Sequence, residues 1–184
     1  MRILLITILS FFFLKQEGQI TKVIDGDTVH ATIEGKDVTI RLNAIDAPES
    51  DQFFGSEATA YLNQIILNKN VEIKILTKDR YGRSIANIYL DGIWINMKLI
   101  EKGYAWHYIA YDKNPDLISA QAKAYNDKVG LWKYPNPIEP WKWRKKDNNP
   151  KSSNNTQYYK GSRGGCYYIN NSGNKVYVNK NLCN

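Results

Sequence analysis

The sequence predicts a mixed α+β fold dominated by β structure: a five-stranded barrel with three helices, followed by a small C-terminal hairpin. Three observations lead there. Apolar and polar residues alternate in five short runs bounded by Gly, Asp and Pro. One helical segment separates the third run from the fourth, and two more follow the fifth. After Pro140 the composition turns basic and Asn-rich, and both cysteines, Cys166 and Cys183, lie beyond that point.

The first run, from Gly18, carries Ile20, Val23 and Ile24 up to the turn Asp25-Gly26-Asp27-Thr28. A second strand, Val29 to Ile33, ends at the hairpin turn Glu34-Gly35-Lys36-Asp37. The third, Val38 to Ile45, stops at Asp46-Ala47-Pro48, because proline offers no ladder N–H and biases Ala47 to extended backbone. Ser56 is the expected cap of a helix running to about Asn68, with Leu62, Ile65 and Ile66 on one face. Val71 to Leu76 and Ile85 to Leu90 form the last two strands. Asp91-Gly92 then turns the chain into a short helix, Asn96 to Lys102, ended by Gly103. A third helix has Asn114 as cap and Pro115 at its first position, and runs to Val129 before Gly130. Five short strands with an interposed helix fit a small closed barrel of the OB type.

The expected organisation is an export signal over 1–17, the barrel domain over 18–140, a basic, Asn-rich linker over 141–160 and a Cys-stapled hairpin over 161–184. Met1-Arg2 followed by the apolar run Ile3 to Leu14 is shorter than the roughly 20 residues that span a bilayer. It reads as a secretory signal, which places the protein outside the cell or in a periplasm. A buried N-terminal strand or helix is the alternative. In an exported chain, Cys166 and Cys183 suggest one disulfide, which a module this small needs for stability. The alternative, two free thiols, belongs to a cytosolic protein. No Cys/His cluster has zinc spacing, and His30 and His107 stand alone.

The net charge of +7 is unevenly spread. Residues 19–140 carry 14 Lys/Arg against 16 Asp/Glu, whereas residues 141–184 carry nine against Asp147 alone. Attraction to polyanions is therefore a property of the tail. Any chemistry in the central domain must come from local groups.

Those groups are Asp25, Asp27, Asp46 and Glu49, together with Arg41 and Arg83. Hydrolysis of a phosphodiester asks for such a set. A hard divalent cation needs oxygen ligands, a carboxylate can orient or deprotonate water, and guanidinium matches phosphate with two parallel donors. Each residue alone has a plainer explanation: Asp25-Gly26-Asp27 is a turn, and Arg41 in mid-strand pairs with a carboxylate.

Spacing carries the case further. Ile24-Asp25-Gly26-Asp27-Thr28-Val29, then Ile40-Arg41-Leu42 and Ile45-Asp46-Ala47-Pro48-Glu49, then Asp79-Arg80-Tyr81-Gly82-Arg83 follow one another in order. Gly55-Ser56-Glu57-Ala58, Asp91-Gly92, Asn96, Leu99, Gly103 and Gly130-Leu131-Trp132 accompany them. In these motifs, over about residues 18–135, the chain resembles the staphylococcal (micrococcal) nuclease, or thermonuclease, family. That resemblance implies a Ca²⁺-dependent endonuclease that cuts DNA and RNA and leaves 3′-phosphates, and a monomer is expected. It implies Asp27, Asp46 and the backbone carbonyl of Ala47 as calcium ligands, with Asp25 supporting them. Glu49 is implied as the general base or the residue that positions water, and Arg41 and Arg83 as phosphate clamps. Arg80, Tyr81 and Tyr111 match substrate-binding positions. The family's other stacking tyrosine is replaced by Ile109, with Tyr108 beside it, and the loop after Glu49 is shorter, so an altered grip on substrate is expected there.

Two alternatives stay open. The barrel could be a non-catalytic binding module, a class that usually lacks one of the acidic or arginine positions, all of which are present here. The basic tail could hold nucleic acid or an anionic envelope surface, or be a plain solvated linker. Tyr108 and Tyr111 are equally compatible with ordinary packing.

Overall fold

The structure, a computed structural model, describes residues 16–147, 157–161, 164–169 and 175–178. Strands β1 (Gln16–Val23), β2 (Thr28–Ile33) and β3 (Lys36–Leu42) form an antiparallel meander. A two-residue strand, β4 (Ile45–Asp46), precedes helix α1 (Gly55–Ile66). Strands β5 (Asn70–Lys78) and β6 (Ser84–Leu90) pair with each other, and β5 pairs back on β1. Parallel pairing of Ile40, Arg41 and Leu42 with Ser84, Ile85 and Ala86 joins β3 to β6 and closes five strands into a barrel. The edge groups of an open sheet are thereby satisfied.

A short strand, β7 (Ile93–Trp94), leads into α2 (Ile95–Glu101). Then come β8 (Trp106–His107), which pairs with β4, helix α3 (Pro115–Asn126) and a 3-10 turn (Gly130–Lys133). A fourth helix, α4 (Pro140–Asp147), ends the domain. Alternation does its expected work inside the barrel. Ile20, Val29, Ala31, Ile40, Leu42, Val71, Ile73, Ala86 and Ile88 point inward, and Leu62, Ile66, Leu99, Ile100 and Leu117 cover them from the helices. Each large side chain buried this way contributes about 1.5–3 kcal/mol.

Several expectations need correction. The third strand stops at Leu42, three residues early, because Ala44 takes a left-handed turn (φ 64°). Ser56 does not cap α1. Phe54 occupies that position with φ 73° and no side-chain cap, while the Ser56 hydroxyl bonds Glu57. Helix α3 ends at Asn126, where Lys128 turns left-handed (φ 52°), whereas the Asn114 cap and Gly103 stop are as predicted. Gln16 and Glu17, assigned to the signal, are strand residues paired with Ile73 and Glu72. The remainder of that signal, Met1 to Lys15, lies outside the described residues.

The largest departure is α4. Residues 141–147, expected as linker, are helical because Pro140 starts the turn and Trp141 and Arg144 find tertiary partners. The C-terminal unit has three strands where a hairpin was expected: β9 (Tyr159–Lys160), β10 (Cys166–Ile169) and β11 (Lys175–Val178). Cys166 is buried, and no cysteine is free among the described residues. Cys183 and the turn 171–174 lie outside them.

Candidate active site

The turn between β1 and β2 delivers the first carboxylates. Asp25 Oδ1 accepts the Asp27 N–H at 3.0 Å, which folds the turn back on itself. Asp27 is buried and fixed by three donors: the Thr28 hydroxyl at 3.1 Å, the Ala47 N–H at 2.7 Å and the Arg41 guanidinium at 3.0 Å. Burial pushes the Asp27 carboxyl up to about 7, with Asp25 and Asp46 adding to the rise and Arg41 and the Ala47 N–H opposing it. Gly26 is required by close approach, since a Cβ there would stand 2.6 Å from that of Ala47 and 2.9 Å from that of Ala58.

Arg41 organises the next stretch. Its Nη1 donates to the carbonyls of Leu42 and Ile45 at 2.9 and 2.8 Å, which ties the turn that ends β3. Its Nη2 reaches Asp46 Oδ1 at 2.8 Å as well as Asp27. Buried Asn96 steadies the same turn, donating to Asn43 O at 2.9 Å and accepting from Ile88 N at 3.1 Å. One guanidinium thus holds both buried aspartates side by side.

Glu49 sits on a loop that its neighbours fix. Its N–H donates to the buried side chain of Gln52 at 3.1 Å, and its carbonyl accepts the Gln52 N–H at 2.9 Å. Gly55 closes the loop so tightly that a Cβ there would lie 1.8 Å from the Glu49 carbonyl oxygen. A Gly55→Ala variant is therefore expected to displace the Glu49 peptide. It should cost about 1–3 kcal/mol, read as a lower midpoint in urea unfolding.

The β5–β6 turn faces this cluster. Asp79 accepts the backbone N–H groups of Tyr81 and Arg83 and pairs with Arg83 Nε at 2.8 Å. Desolvation works against its ionisation, yet these hydrogen bonds hold its carboxyl below the usual range. Arg80 donates to the Tyr81 hydroxyl at 2.6 Å, and its guanidinium lies 4.8 Å from that ring. Tyr111 is 77% exposed and meets Tyr108 edge-on at 4.7 Å, while Ile109 points to solvent. Phe53 and Phe54, in the shortened loop, pack against Tyr134 and Tyr104 and so belong to the scaffold.

All these predicted groups line one cleft of about 920 Å³: Asp25, Asp27, Arg41, Asp46, Ala47 and Glu49 on one wall, Arg80, Tyr81 and Arg83 on another, and Tyr111 at the mouth. Carboxylates, guanidinium groups and an exposed aromatic edge in one cleft suit the binding and hydrolysis of a phosphodiester. Residues 39–134 match the family described as staphylococcal nuclease homologues. The chain belongs to the staphylococcal nuclease family. Among its relatives is a micrococcal nuclease of Shigella flexneri, 34% identical over 72% of this chain and 82% of that one. An uncharacterised endonuclease of Escherichia coli O157:H7 is 38% identical over 69% of this chain and 84% of its own. A staphylococcal-like nuclease of Arabidopsis thaliana is 42% identical over 60% of this chain. The chain spans about a third of the length of such plant relatives. Residues 157–184 match a separate family, described as a PBCV-specific basic adaptor domain.

The sequence did not foreshadow Gln52 or Arg144, and Trp141 stood there as an aromatic of the basic tail rather than as a partner of Tyr108. Gln52 Nε2 donates to Ile138 O at 2.6 Å, linking the Glu49 loop to the start of α4. Arg144 lines the same cleft and bonds both oxygens of Asp46 and one of Glu49. Trp141 stacks on Tyr108 with ring centroids 5.0 Å apart and planes 3° from parallel. The usable signal was Pro140 opening a segment with Trp141 and Arg144 at i and i+3, one face of a helix.

Proposed function

We propose that this protein is an exported, Ca²⁺-dependent endonuclease that hydrolyses DNA and RNA and leaves 3′-phosphate ends. The observation that carries this is the convergence of Asp27, Asp46, Glu49, Arg41 and Arg83 on one cleft. Nuclease and endonuclease names among relatives that match most of their own length support the reaction class.

The donor set fits a hard divalent cation. Among the described residues no three His, Cys, Asp or Glu side chains gather to hold a metal by themselves. Asp27 and Asp46 are nevertheless buried and held side by side by Arg41. Calcium takes carbonyl and water oxygens beside carboxylates, so Asp27, Asp46 and the Ala47 carbonyl are its protein ligands here. When bound, the ion supplies Lewis-acid polarisation and orientation at a phosphoryl oxygen.

The chain's own groups do the rest. Asp25 holds the Asp27 turn in place. Glu49 positions or deprotonates the attacking water. Arg41 and Arg83 stabilise negative charge growing on the phosphoryl oxygens, and Arg83 stands near the leaving 5′ oxygen. Arg80, Tyr81 and Tyr111 hold the flanking phosphate and base, and an unstacked single strand is the favoured substrate because the cleft must admit a phosphate with its base.

The barrel domain acts as a monomer, delivered to the cell exterior or periplasm by the segment Met1 to Leu14. A Cys166–Cys183 disulfide closes the C-terminal unit, and the basic tail contacts nucleic acid or an anionic envelope surface. Digestion of single-stranded DNA and RNA with millimolar Ca²⁺, and again with excess chelator, tests the assignment. Cleavage is expected only with the cation, with 3′-phosphates blocking terminal-transferase labelling until phosphatase is added. Full activity in chelator, or free 3′-hydroxyl ends, overturns it.

A further inference from the structure

Helix α4 sends Arg144 into the cleft. Arg144 Nη2 bonds Asp46 Oδ2 at 2.8 Å, and its Nη1 bonds Asp46 Oδ1 at 3.1 Å and Glu49 Oε1 at 2.5 Å. With Arg41 Nη2 also on Asp46 Oδ1, the Asp46 carboxylate is fully engaged by guanidinium groups. Burial of Arg144 works against its charge, yet these carboxylates outweigh it and raise its pKa. A divalent cation needs the same oxygens at about 2.3–2.6 Å, and a positive guanidinium seated on them repels it. Arg144 and the cation therefore compete for Asp46 Oδ2 and Glu49 Oε1, whereas Arg41 bonds Asp46 at Oδ1.

The same helix covers a second part of the cleft. Trp141 lies flat on Tyr108, the way a base stacks on an aromatic platform. It also meets Trp106 edge-on at 5.9 Å, and Trp143 Nε1 reaches Asp51 at 3.3 Å. Lys142 and Lys145 of α4 are exposed to solvent. Arg144 and Glu49 are partly exposed, 41% and 33%, and solvent screening weakens that part of the dock.

We propose that α4 is an autoinhibitory strap: docked, Arg144 fills the cation's place and Trp141 a base's place, and the cation must displace the strap to bind. This rests on the calcium reading above. The strap is a two-state element biased from both ends. Cation binding selects the undocked form, and a polyanionic nucleic acid, attracted to the freed basic residues of α4, selects it too. An undocked fraction of about one tenth lowers apparent cation affinity about tenfold.

Isothermal titration of Ca²⁺ into the full-length wild type, Arg144→Gln and Trp141→Ala tests it, with no turnover involved. Arg144→Gln is expected to bind Ca²⁺ about tenfold more tightly, and Trp141→Ala to tighten it by a smaller factor. Trypsin should cut wild type at Lys142 and Lys145 faster once Ca²⁺ is added, as α4 leaves the cleft. Wild-type binding unchanged or weakened in Arg144→Gln, with cleavage indifferent to Ca²⁺, overturns the strap while leaving the calcium site intact. If none of the three proteins binds Ca²⁺, the calcium reading falls and the strap falls with it.

Discussion

A Glu49→Gln variant is expected to lose about 10²–10⁴-fold in kcat on single-stranded DNA, the usual contribution of a positioned general base. Size and shape are nearly kept, and the loop survives because its anchors are the Glu49 backbone, Gln52 and Gly55 rather than the carboxylate. The Glu49 side chain is one-third exposed, so stability should move by no more than about 0.5 kcal/mol. The amide still accepts a hydrogen bond from Arg144 but cannot take a proton from water. Cation affinity should stay within a small factor of wild type, since Asp27 and Asp46 are untouched. Single-turnover cleavage measured beside thermal unfolding separates these effects. A Gln variant that cuts at the wild-type rate removes Glu49 from the chemistry.

Most of what places Glu49 is legible in the sequence. The five strands announce themselves because Val and Ile alternate where one face meets a core, as at Val71, Ile73 and Ile75. The cleft residues are legible because their spacing follows the strand ends. The rest depends on side-chain and loop contacts that alternation and capping preference do not encode. The end of β3 at Leu42 is set by a side chain of the strand itself, Arg41, bonding the carbonyls of Leu42 and Ile45. Alternation has no way to signal that. Phe54 at the head of α1 is held in a left-handed conformation by the tight Glu49–Gly55 loop, which overrides the capping preference of Ser56. Helix α4 is the extreme case. Its composition is that of a solvated basic segment, and Asp46, Glu49, Asp51, Trp106 and Tyr108, lying 33 to 98 residues away, give it a surface on which to fold.

The two arginines of the cleft should fail in different ways when removed. Arg83→Ala is expected to lower kcat about 10²–10³-fold, the loss that follows deletion of one donor to a developing oxyanion. Its ion pair with Asp79 is partly exposed, 34% and 18% for the two side chains, so stability should change by less than about 1 kcal/mol. Arg41→Ala removes a comparable donor and also the bridge between Asp27 and Asp46. Asp46 keeps its pair with Arg144, but buried Asp27 loses the Arg41 guanidinium, and an uncompensated buried charge is strongly destabilising. Asp27 has an escape, because its carboxyl already sits near pH 7 even with Arg41 in place and can take up a proton. That keeps the cost at about 3 kcal/mol, the low end for a broken buried pair. A melting temperature roughly 10 °C below wild type follows. On the proposed calcium reading, the ion between the same two carboxylates supplies the missing positive charge, so saturating cation should restore more stability to Arg41→Ala than it adds to Arg83→Ala. Activity should not return with it if Arg41 is the phosphate donor proposed above. Calorimetric melting of both variants with and without Ca²⁺ decides the matter. Equal cation gains in the two would mean that Arg41 does not share its aspartates with the ion.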